Sequence, residues 1–171
     1  MGYIVPGGAR TQMEDEFRII KRPLLRNVHE PQGATRNNLI MVTSAVPGEG
    51  KTFTAVNLAM SIATELDHTV LLVDADVLRP SVMERLGQPN GKGLLDVLRD
   101  PELDLSEVLI KTNIPKLVLM PAGSGPAAST EMMASATMEQ LLDEMAQYYS
   151  DRIVIFDAPP LLPSTESRVL A

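Results

Sequence analysis

The segment SAVPGEGKTF (44–53), which directly follows an apolar run, constrains the fold of this chain more than any other feature. It is close to the phosphate-loop pattern G-x-x-x-x-G-K-[ST], which connects a strand to a helix. Gly50, Lys51 and Thr52 match the pattern, whereas Ala45 stands at the position of its first glycine. Alanine permits the turn as long as its φ angle stays negative. A glycine-rich turn with a surface lysine is the alternative interpretation.

The residue types of this loop are typical of a site for a ligand with several negative oxygens. Gly48 and Gly50 leave backbone N–H groups uncovered, and these groups can converge on phosphate oxygens at the amino end of the next helix. Lys51 would reach the β- and γ-phosphates, and Thr52 would offer a hydroxyl to Mg²⁺. The sequence therefore predicts a nucleotide site, with these binding residues: Val46, Pro47, Gly48, Glu49, Gly50, Lys51, Thr52 and Phe53.

Apolar runs alternate with helical segments along most of the chain. The strands are predicted at 39–43, 69–74, 116–123 and 151–157. Strands that are apolar on both faces and separated by helices predict an α/β fold, a mostly parallel sheet with helices on both faces, as in P-loop NTPases. The chain stops at Ala171 just after a new helix begins, so we expect the fold to be truncated at its C-terminus. The predicted helices are 51–66, 80–87, 93–99, 105–110 and 129–149.

The first part of the chain predicts a separate helix. Residues 1–10 have the composition of a flexible lead-in, and Thr11 followed by Glu14 has the spacing of a capping box. We expect Pro23 to kink or interrupt the helix that begins there. The polar, turn-rich segment 30–38 then predicts a linker to the alternating strands and helices.

Three aspartates follow apolar strands. Asp74 and Asp76 come after TVLLV, and Asp157 comes after IVIF. Because ligands of open parallel sheets bind at the carboxyl ends of the strands, we expect all three carboxylates to face the phosphate loop. A single aspartate at a strand end is more often a turn former or a helix cap. Three of them beside a phosphate loop predict a metal–nucleotide site, with Asp157 as its second metal-holding element.

The composition excludes several functional classes. The chain has 171 residues, a net charge of −7 and no cysteine. It therefore has no disulfide, no thiolate metal site and no cysteine nucleophile, and its acidic balance argues against nucleic acid as a partner. No stretch approaches the ~18 consecutive apolar residues of a membrane span, and the N-terminus lacks the apolar core of a secretory signal. We expect a soluble, cytoplasmic protein.

With these motifs, the chain resembles the bacterial tyrosine autokinases (BY-kinases) of capsule and exopolysaccharide synthesis. The resemblance rests on SAVPGEGKT (44–52), LLVDADVLRP (71–80) and IVIFDAPP (153–160). Within that family, EFRIIKRPLL, PGEGKTF and DADVLRPS are most similar to the kinases that accompany exosortase (PEP-CTERM) polysaccharide loci. The resemblance implies an ATP- and Mg²⁺-dependent protein-tyrosine autokinase that regulates polysaccharide synthesis or export. It also implies a membrane adaptor with an activating cytoplasmic tail, which would hold the protein peripherally at the inner membrane.

The resemblance further implies roles for individual residues. The catalytic residues would be Lys51, Asp74 and Asp76, and the metal ligands Thr52, Asp76 and Asp157. Lys51 and the amides of 48–52 would bind the β- and γ-phosphates. Asp74 is the candidate base for the tyrosine hydroxyl, which needs a proton acceptor within hydrogen-bond reach. Which of the two neighbouring aspartates takes the proton stays open at this point.

The BY-kinases also self-assemble through a helix with the spacing acidic-x-x-Arg-x-x-basic. Asp15, Arg18 and Lys21 have this spacing and would share one helix face. The resemblance thus implies a homo-oligomer, with an arm and oligomerisation helix over 1–37 and a P-loop kinase domain over 38–171. A solvated, salt-bridged helix is the alternative. Lysine at the third position loses bidentate pairing with a carboxylate, which predicts a weaker ring.

Several positions depart from the family pattern. Leu78 stands where the family often has arginine, with Arg79 next, and Ser81 stands where proteobacterial members often carry tyrosine. The chain lacks a tyrosine-rich tail, and its three tyrosines are Tyr3, Tyr148 and Tyr149. We expect the two at the end of the long predicted helix to be packing or surface residues rather than phosphoacceptors.

A Min/Par-type partitioning ATPase, which acts as a nucleotide-dependent dimer switch, is the alternative function. Such proteins carry a second lysine early in the phosphate loop. Val46 stands at that position here, and 38–50 contains no lysine. A scaffold that keeps the fold without hydrolysing nucleotide is a third alternative, against which the intact Lys51 and Thr52 count.

Overall fold

The computed structural model describes residues 2–29, 36–125, 129–148 and 152–162. These residues form helices, strands and a short 3₁₀ turn. In order, they are α1 (Gln12–His29), β1 (Leu39–Val42), α2 (Lys51–Ala63), β2 (Thr69–Asp74), α3 (Val82–Arg85), α4 (Leu94–Arg99), the 3₁₀ turn (Leu105–Glu107), β3 (Ile110–Lys111), β4 (Leu117–Met120), α5 (Ser129–Met133), α6 (Ala136–Tyr148) and β5 (Arg152–Asp157).

The sheet of the described residues has five strands in the order β1-β5-β2-β4-β3. β1, β5, β2 and β4 are parallel, and the short β3 pairs with β4 in the antiparallel direction. β2 and β5 lie at the centre, and their register sets Asp74 opposite Asp157, while Val42 of β1 lies opposite Asp157 on the other side. Strand pairing therefore brings two of the predicted acidic residues to adjacent positions.

Two hydrophobic clusters cover the two faces of the sheet. Along β2, Val70 and Leu72 belong to the cluster of α1 and α2, whereas Leu71 and Val73 belong to the cluster of α4 and α6. This alternation follows from the two-residue period of a strand, and the sequence is apolar at every one of these positions because both faces are covered. The predicted α/β fold, with helices on both faces of a mostly parallel sheet, is confirmed.

Several predicted segments differ from the structure. The long helix expected at 129–149 is divided, because the Ser135 hydroxyl donates to Met132 O (2.7 Å) and accepts from Met138 N (3.3 Å), which ends α5 and caps α6. The helix expected at 105–110 is a single 3₁₀ turn followed by β3. β1 is a half-buried edge strand within the described part of the sheet rather than a fully buried one.

The N-terminal arm is docked rather than loose. Ile4 is buried, and its N–H donates to Asn57 Oδ1 of α2 over 2.8 Å. The ring of Tyr3 lies against that of Phe53, with 6.0 Å between the centroids. The expectation of a flexible lead-in is therefore wrong for these two residues, because α2 offers them an apolar surface and an acceptor.

α1 starts where the sequence predicts, and Thr11 Oγ1 accepts a hydrogen bond from Glu14 N (3.2 Å). The helix continues through Pro23 without interruption. Leu24 and Leu25 pack against the core around α2, and such tertiary packing overrides the low helix propensity of proline. Among the described residues, no helix combines the length and the apolar character needed to cross a bilayer.

Candidate nucleotide site

The loop between β1 and α2 has the backbone shape that its glycines allow. Gly48 has a φ of 89° and Gly50 a φ of 92°, in the left-handed region that favours glycine. A Cβ added at either position would meet nothing within 4 Å, so the space beside the loop is open to a ligand. No described non-glycine residue has a positive φ, and Ala45 therefore occupies the first position of the pattern without strain.

Glu49 fixes the beginning of this loop. Its Oε2 accepts hydrogen bonds from Ala45 N (2.8 Å) and Val46 N (3.1 Å), and Ser44 Oγ donates to Val46 O (2.9 Å). The side chain of Glu49, which the sequence grouped with the nucleotide-binding residues, thus binds amides of its own loop. The phosphate-loop pattern accepts any residue at this position, so the pattern carried no signal for this contact.

The acidic strand ends and the loop lysine converge. Lys51 Nζ lies 2.7 Å from Asp76 Oδ2 and 4.0 Å from Asp157 Oδ1. Asp76 Oδ1 also accepts from Arg79 N over 3.1 Å. Two acidic groups and one ammonium are therefore held together at the carboxyl ends of β2 and β5, beside the amino end of α2.

Asp74 is fully buried, and one of its two carboxylate oxygens accepts hydrogen bonds from described residues. Its Oδ2 accepts from Ser81 N and Val82 N, both over 2.9 Å, and so caps α3, while no described residue bonds to its Oδ1. Burial, together with the charges of Asp157 and Asp76, raises the pKa of Asp74 to about 7, although the two N–H donors act to lower it. This carboxylate is therefore held near the point of protonation at neutral pH.

Asp157 has no hydrogen-bond partner for either oxygen within the described residues, although it is fully buried. Burial raises its pKa above the usual range, and the neighbouring Thr52 hydroxyl and Lys51 ammonium lower it. A buried carboxylate without a partner is costly unless a ligand or ion completes it. With Asp76 and the hydroxyl of Thr52, it forms an oxygen donor set that fits Mg²⁺.

The described residues hold no cluster of three or more His, Cys, Asp or Glu side chains arranged around one metal position. Mg²⁺ commonly takes one or two carboxylates and completes its shell with waters and substrate phosphates. The donor set of Asp76, Asp157 and Thr52 therefore fits a metal that arrives with a nucleotide, and not a permanently caged ion.

A cleft of about 390 Å³ opens at the loop. Its walls include Lys51, Thr52, Phe53 and Asp76, with Arg79 and Arg85 among the residues of α3 and the preceding turn. Of the predicted binding residues, Val46 and Glu49 do not line it. Arg85 was not among the site residues predicted from the sequence, in which Arg79 was the basic residue noted after the Asp74–Asp76 pair.

Ser81 contacts both the start of α2 and the end of β2. Its Oγ lies 3.0 Å from Thr52 Oγ1, and its N–H donates to Asp74. In the sequence, Ser81 stands out only as a departure from the family pattern. Its contact with Thr52 depends on how α2 and the turn after β2 pack, which no local pattern reveals.

The three residues predicted for oligomerisation differ in their surroundings. Asp15 and Arg18 are half-exposed and pair with each other (3.4 Å), and Asp15 also pairs with Arg10 (2.8 Å). Lys21 is 3% exposed, and its ammonium lies 2.6 Å from Glu65 Oε1 and donates to a carbonyl in the last turn of α2. The expectation of one shared face is wrong for Lys21, because the negative end of α2 binds its charge.

Residues 37–171 match a family described as AAA domain. The chain belongs to the AAA domain family. The tyrosine-protein kinase ptk of Acinetobacter johnsonii is 30% identical over 150 residues, covering 88% of this chain and 20% of that protein. The tyrosine-protein kinase YwqD of Bacillus subtilis is 35% identical over 131 residues, covering 77% of this chain and 54% of that protein.

A solved kinase structure is also similar to this AAA domain. The kinase domain of the Escherichia coli tyrosine kinase ETK superposes with a TM-score of 0.78 at 29% identity, covering 92% of this chain and 58% of that chain. The resemblance to bacterial tyrosine kinases is confirmed, whereas the exosortase-associated subgroup stays a prediction. This AAA domain spans about a fifth of ptk and about half of YwqD.

A ParA family ATPase from Chlorobium tepidum is more distant. It superposes with a TM-score of 0.57 at 23% identity, covering 80% of this chain and 57% of that chain. At this level of identity the likeness shows a shared fold, which is what a common phosphate-loop architecture predicts.

Proposed function

We propose that this protein is the ATP-binding, catalytic part of a bacterial protein-tyrosine autokinase that regulates exopolysaccharide or capsule synthesis or export. The observation that carries the proposal is the convergence of Lys51, Asp76 and Asp157 beside an open phosphate loop. The chain also has relatives named tyrosine-protein kinases. Phosphoryl transfer needs alignment, charge neutralisation and a proton acceptor, and the chain has side chains for each of these tasks.

In this proposal, Lys51 and the amides of 48–52 hold the β- and γ-phosphates of ATP. Phosphate oxygens compete with Asp76 for the Lys51 ammonium, which frees the Asp76 carboxylate. Asp76, Asp157 and Thr52 would hold Mg²⁺, which would neutralise charge on the phosphates. The oxygens of Asp157 accept no hydrogen bond from the described residues, and this supports the assignment, because a buried carboxylate is stabilised by a cation that binds directly to its oxygens.

Asp74 is the proposed base. It takes the proton of the tyrosine hydroxyl while the tyrosine oxygen bonds to the γ-phosphorus and the bond to the β-phosphate oxygen breaks, which leaves ADP. A pKa of about 7 is close to the best value for a base that works near neutral pH. The buried Oδ1, without a described partner, is the atom available to accept the proton.

The partners follow from the same proposal. A membrane adaptor with a cytoplasmic tail would activate the protein and hold it in the cytoplasm at the periphery of the inner membrane. Self-assembly would use the half-exposed Asp15 and Arg18 of α1, without the buried Lys21. The arm and helix of 1–37 would serve assembly, and 38–171 would serve catalysis.

The test is phosphoryl transfer to tyrosine. Because Tyr148 and Tyr149 are not expected to be phosphoacceptors, the purified protein is incubated with ATP, Mg²⁺ and a tyrosine-containing acceptor peptide, with and without a peptide of the adaptor tail, and the acceptor peptide is probed for phosphotyrosine. We expect a signal that Lys51→Ala and Asp74→Asn abolish, while the exposed-lysine control Lys92→Ala retains it. ATP turnover without phosphotyrosine would contradict the proposal and favour the partitioning class.

A further inference from the structure

The backbone at the beginning of the phosphate loop forms hydrogen bonds with two other parts of the chain. The N–H groups of Ala45 and Val46 donate to the Glu49 carboxylate. The carbonyls of Ser44 and Ala45 accept from Leu161 N (2.8 Å) and Leu162 N (3.2 Å), which follow β5. The segment after β5 thus holds the carbonyls, and Glu49 alone among the described side chains holds the two N–H groups.

A carboxylate at this position is unfavourable for ligand binding. The site already contains the acidic Asp74, Asp76 and Asp157, and a triphosphate adds further negative charge that a carboxylate repels. Glu49 also lies outside the cleft that Lys51 lines. Because of its charge and its position outside the cleft, we do not expect the Glu49 carboxylate to contact phosphate.

Glu49 can instead restrict the conformational freedom of the loop. Gly48 and Gly50, on either side of Glu49, give the backbone the freedom to adopt many shapes, and that freedom is lost when a ligand binds. Two hydrogen bonds to one carboxylate oxygen are charge-assisted and restrict the loop in advance.

We propose that Glu49 is a positioning residue of the phosphate loop. Its carboxylate binds the Ala45 and Val46 N–H groups and keeps the loop open before the ligand arrives. The Glu49 carboxylate makes no contact with the nucleotide, whereas the backbone amide of Glu49 stays among the amides of 48–52 that hold phosphate. The proposal rests on the proposed function only in taking the ligand to be a nucleotide, and the contact itself is testable without one.

The first experiment measures amide hydrogen exchange by NMR in the nucleotide-free protein. In Glu49→Ala, we expect the amides of Ala45 and Val46 to exchange roughly tenfold faster, which corresponds to about 1.4 kcal/mol. Glu49→Gln keeps an acceptor oxygen and is expected to retain most of the protection. Glu102→Ala, at another exposed glutamate, is the matched control and should leave both amides unchanged. Equal exchange in Glu49→Ala and the wild type would overturn the proposal.

The second experiment is an equilibrium titration with ADP and Mg²⁺. We expect Glu49→Ala to bind ADP roughly tenfold more weakly than the wild type, and Glu49→Gln to recover the affinity because it restores the acceptor and removes a negative charge. If Glu49→Gln loses as much affinity as Glu49→Ala while its amides stay protected, Glu49 acts on the ligand and the proposal is wrong. Unchanged affinity in Glu49→Ala with faster exchange would also refute it. A wild type that fails to bind ADP would overturn the proposed function, and the exchange experiment would still decide the role of Glu49.

Discussion

Replacing Asp74 with asparagine should stabilise the nucleotide-free protein at alkaline pH. Asp74 is fully buried, and its pKa is raised to about 7 from an ordinary value of 3.8. The folded state therefore holds this proton more tightly than the unfolded state. The protonated Asp74 thus stabilises the folded state. This contribution to the free energy of unfolding is complete below the ordinary pKa of 3.8 and is lost as the pH rises through about 7.

The magnitude follows from the shift. At about 1.36 kcal/mol for each pKa unit, the ionised Asp74 lowers the free energy of unfolding by on the order of 4 kcal/mol at pH 8. Asparagine keeps an acceptor for the N–H groups of Ser81 and Val82, but its amide group would lie where Oδ1 has no described partner. An unpartnered amide costs about 1–3 kcal/mol. We therefore expect a net gain of about 2 kcal/mol at pH 8.

Urea unfolding at pH 5 and pH 8 measures this difference. The wild type regains the Asp74 proton at low pH. The free energy of unfolding of Asp74→Asn, relative to that of the wild type, should therefore be roughly 3 kcal/mol smaller at pH 5 than at pH 8. Asp157 is also present in both proteins, and because its charge acts on Asp74, the difference between them measures Asp74 together with its coupling to Asp157. The exposed-carboxylate control Asp67→Asn should show no such pH dependence. If Asp74→Asn differs from the wild type by the same amount at both pH values, the argument from burial is wrong.

Three further predictions concern other parts of the chain. Gly93→Ala should lower the free energy of unfolding by roughly 3 kcal/mol, because a Cβ there would overlap the carbonyl of Pro121; thermal unfolding measures this, and an unchanged melting temperature would contradict it. Lys21→Met should cost about 1–3 kcal/mol in urea unfolding through loss of the contacts with Glu65 and the end of α2, and it should leave the oligomer mass unchanged. Arg18→Glu should shift the light-scattering mass toward the monomer with little loss of stability, and a constant mass would remove α1 from the assembly proposal.

Much of the site could be predicted because its determinants are local. The loop conformation depends on Gly48, Gly50 and the adjacent strand and helix, all of which lie next to one another in the chain. The helix start at Thr11 depends on a residue three positions later. Where the determinant was not local, the prediction was wrong, as for Lys21, whose position depends on the end of α2.

The sequence by itself determined the four parallel strands and the acidic residues at the ends of β2 and β5, because apolar periodicity and the phosphate-loop pattern are read over short stretches, whereas it missed the short antiparallel β3. The tertiary structure alone decided which of those groups meet. Strand register sets Asp74 beside Asp157, and the packing of α2 against the sheet brings Lys51 to Asp76 and Thr52 to Ser81. These contacts join residues far apart in the chain, and their burial, which shifts the pKa values of the carboxylates, exists only once the chain is folded.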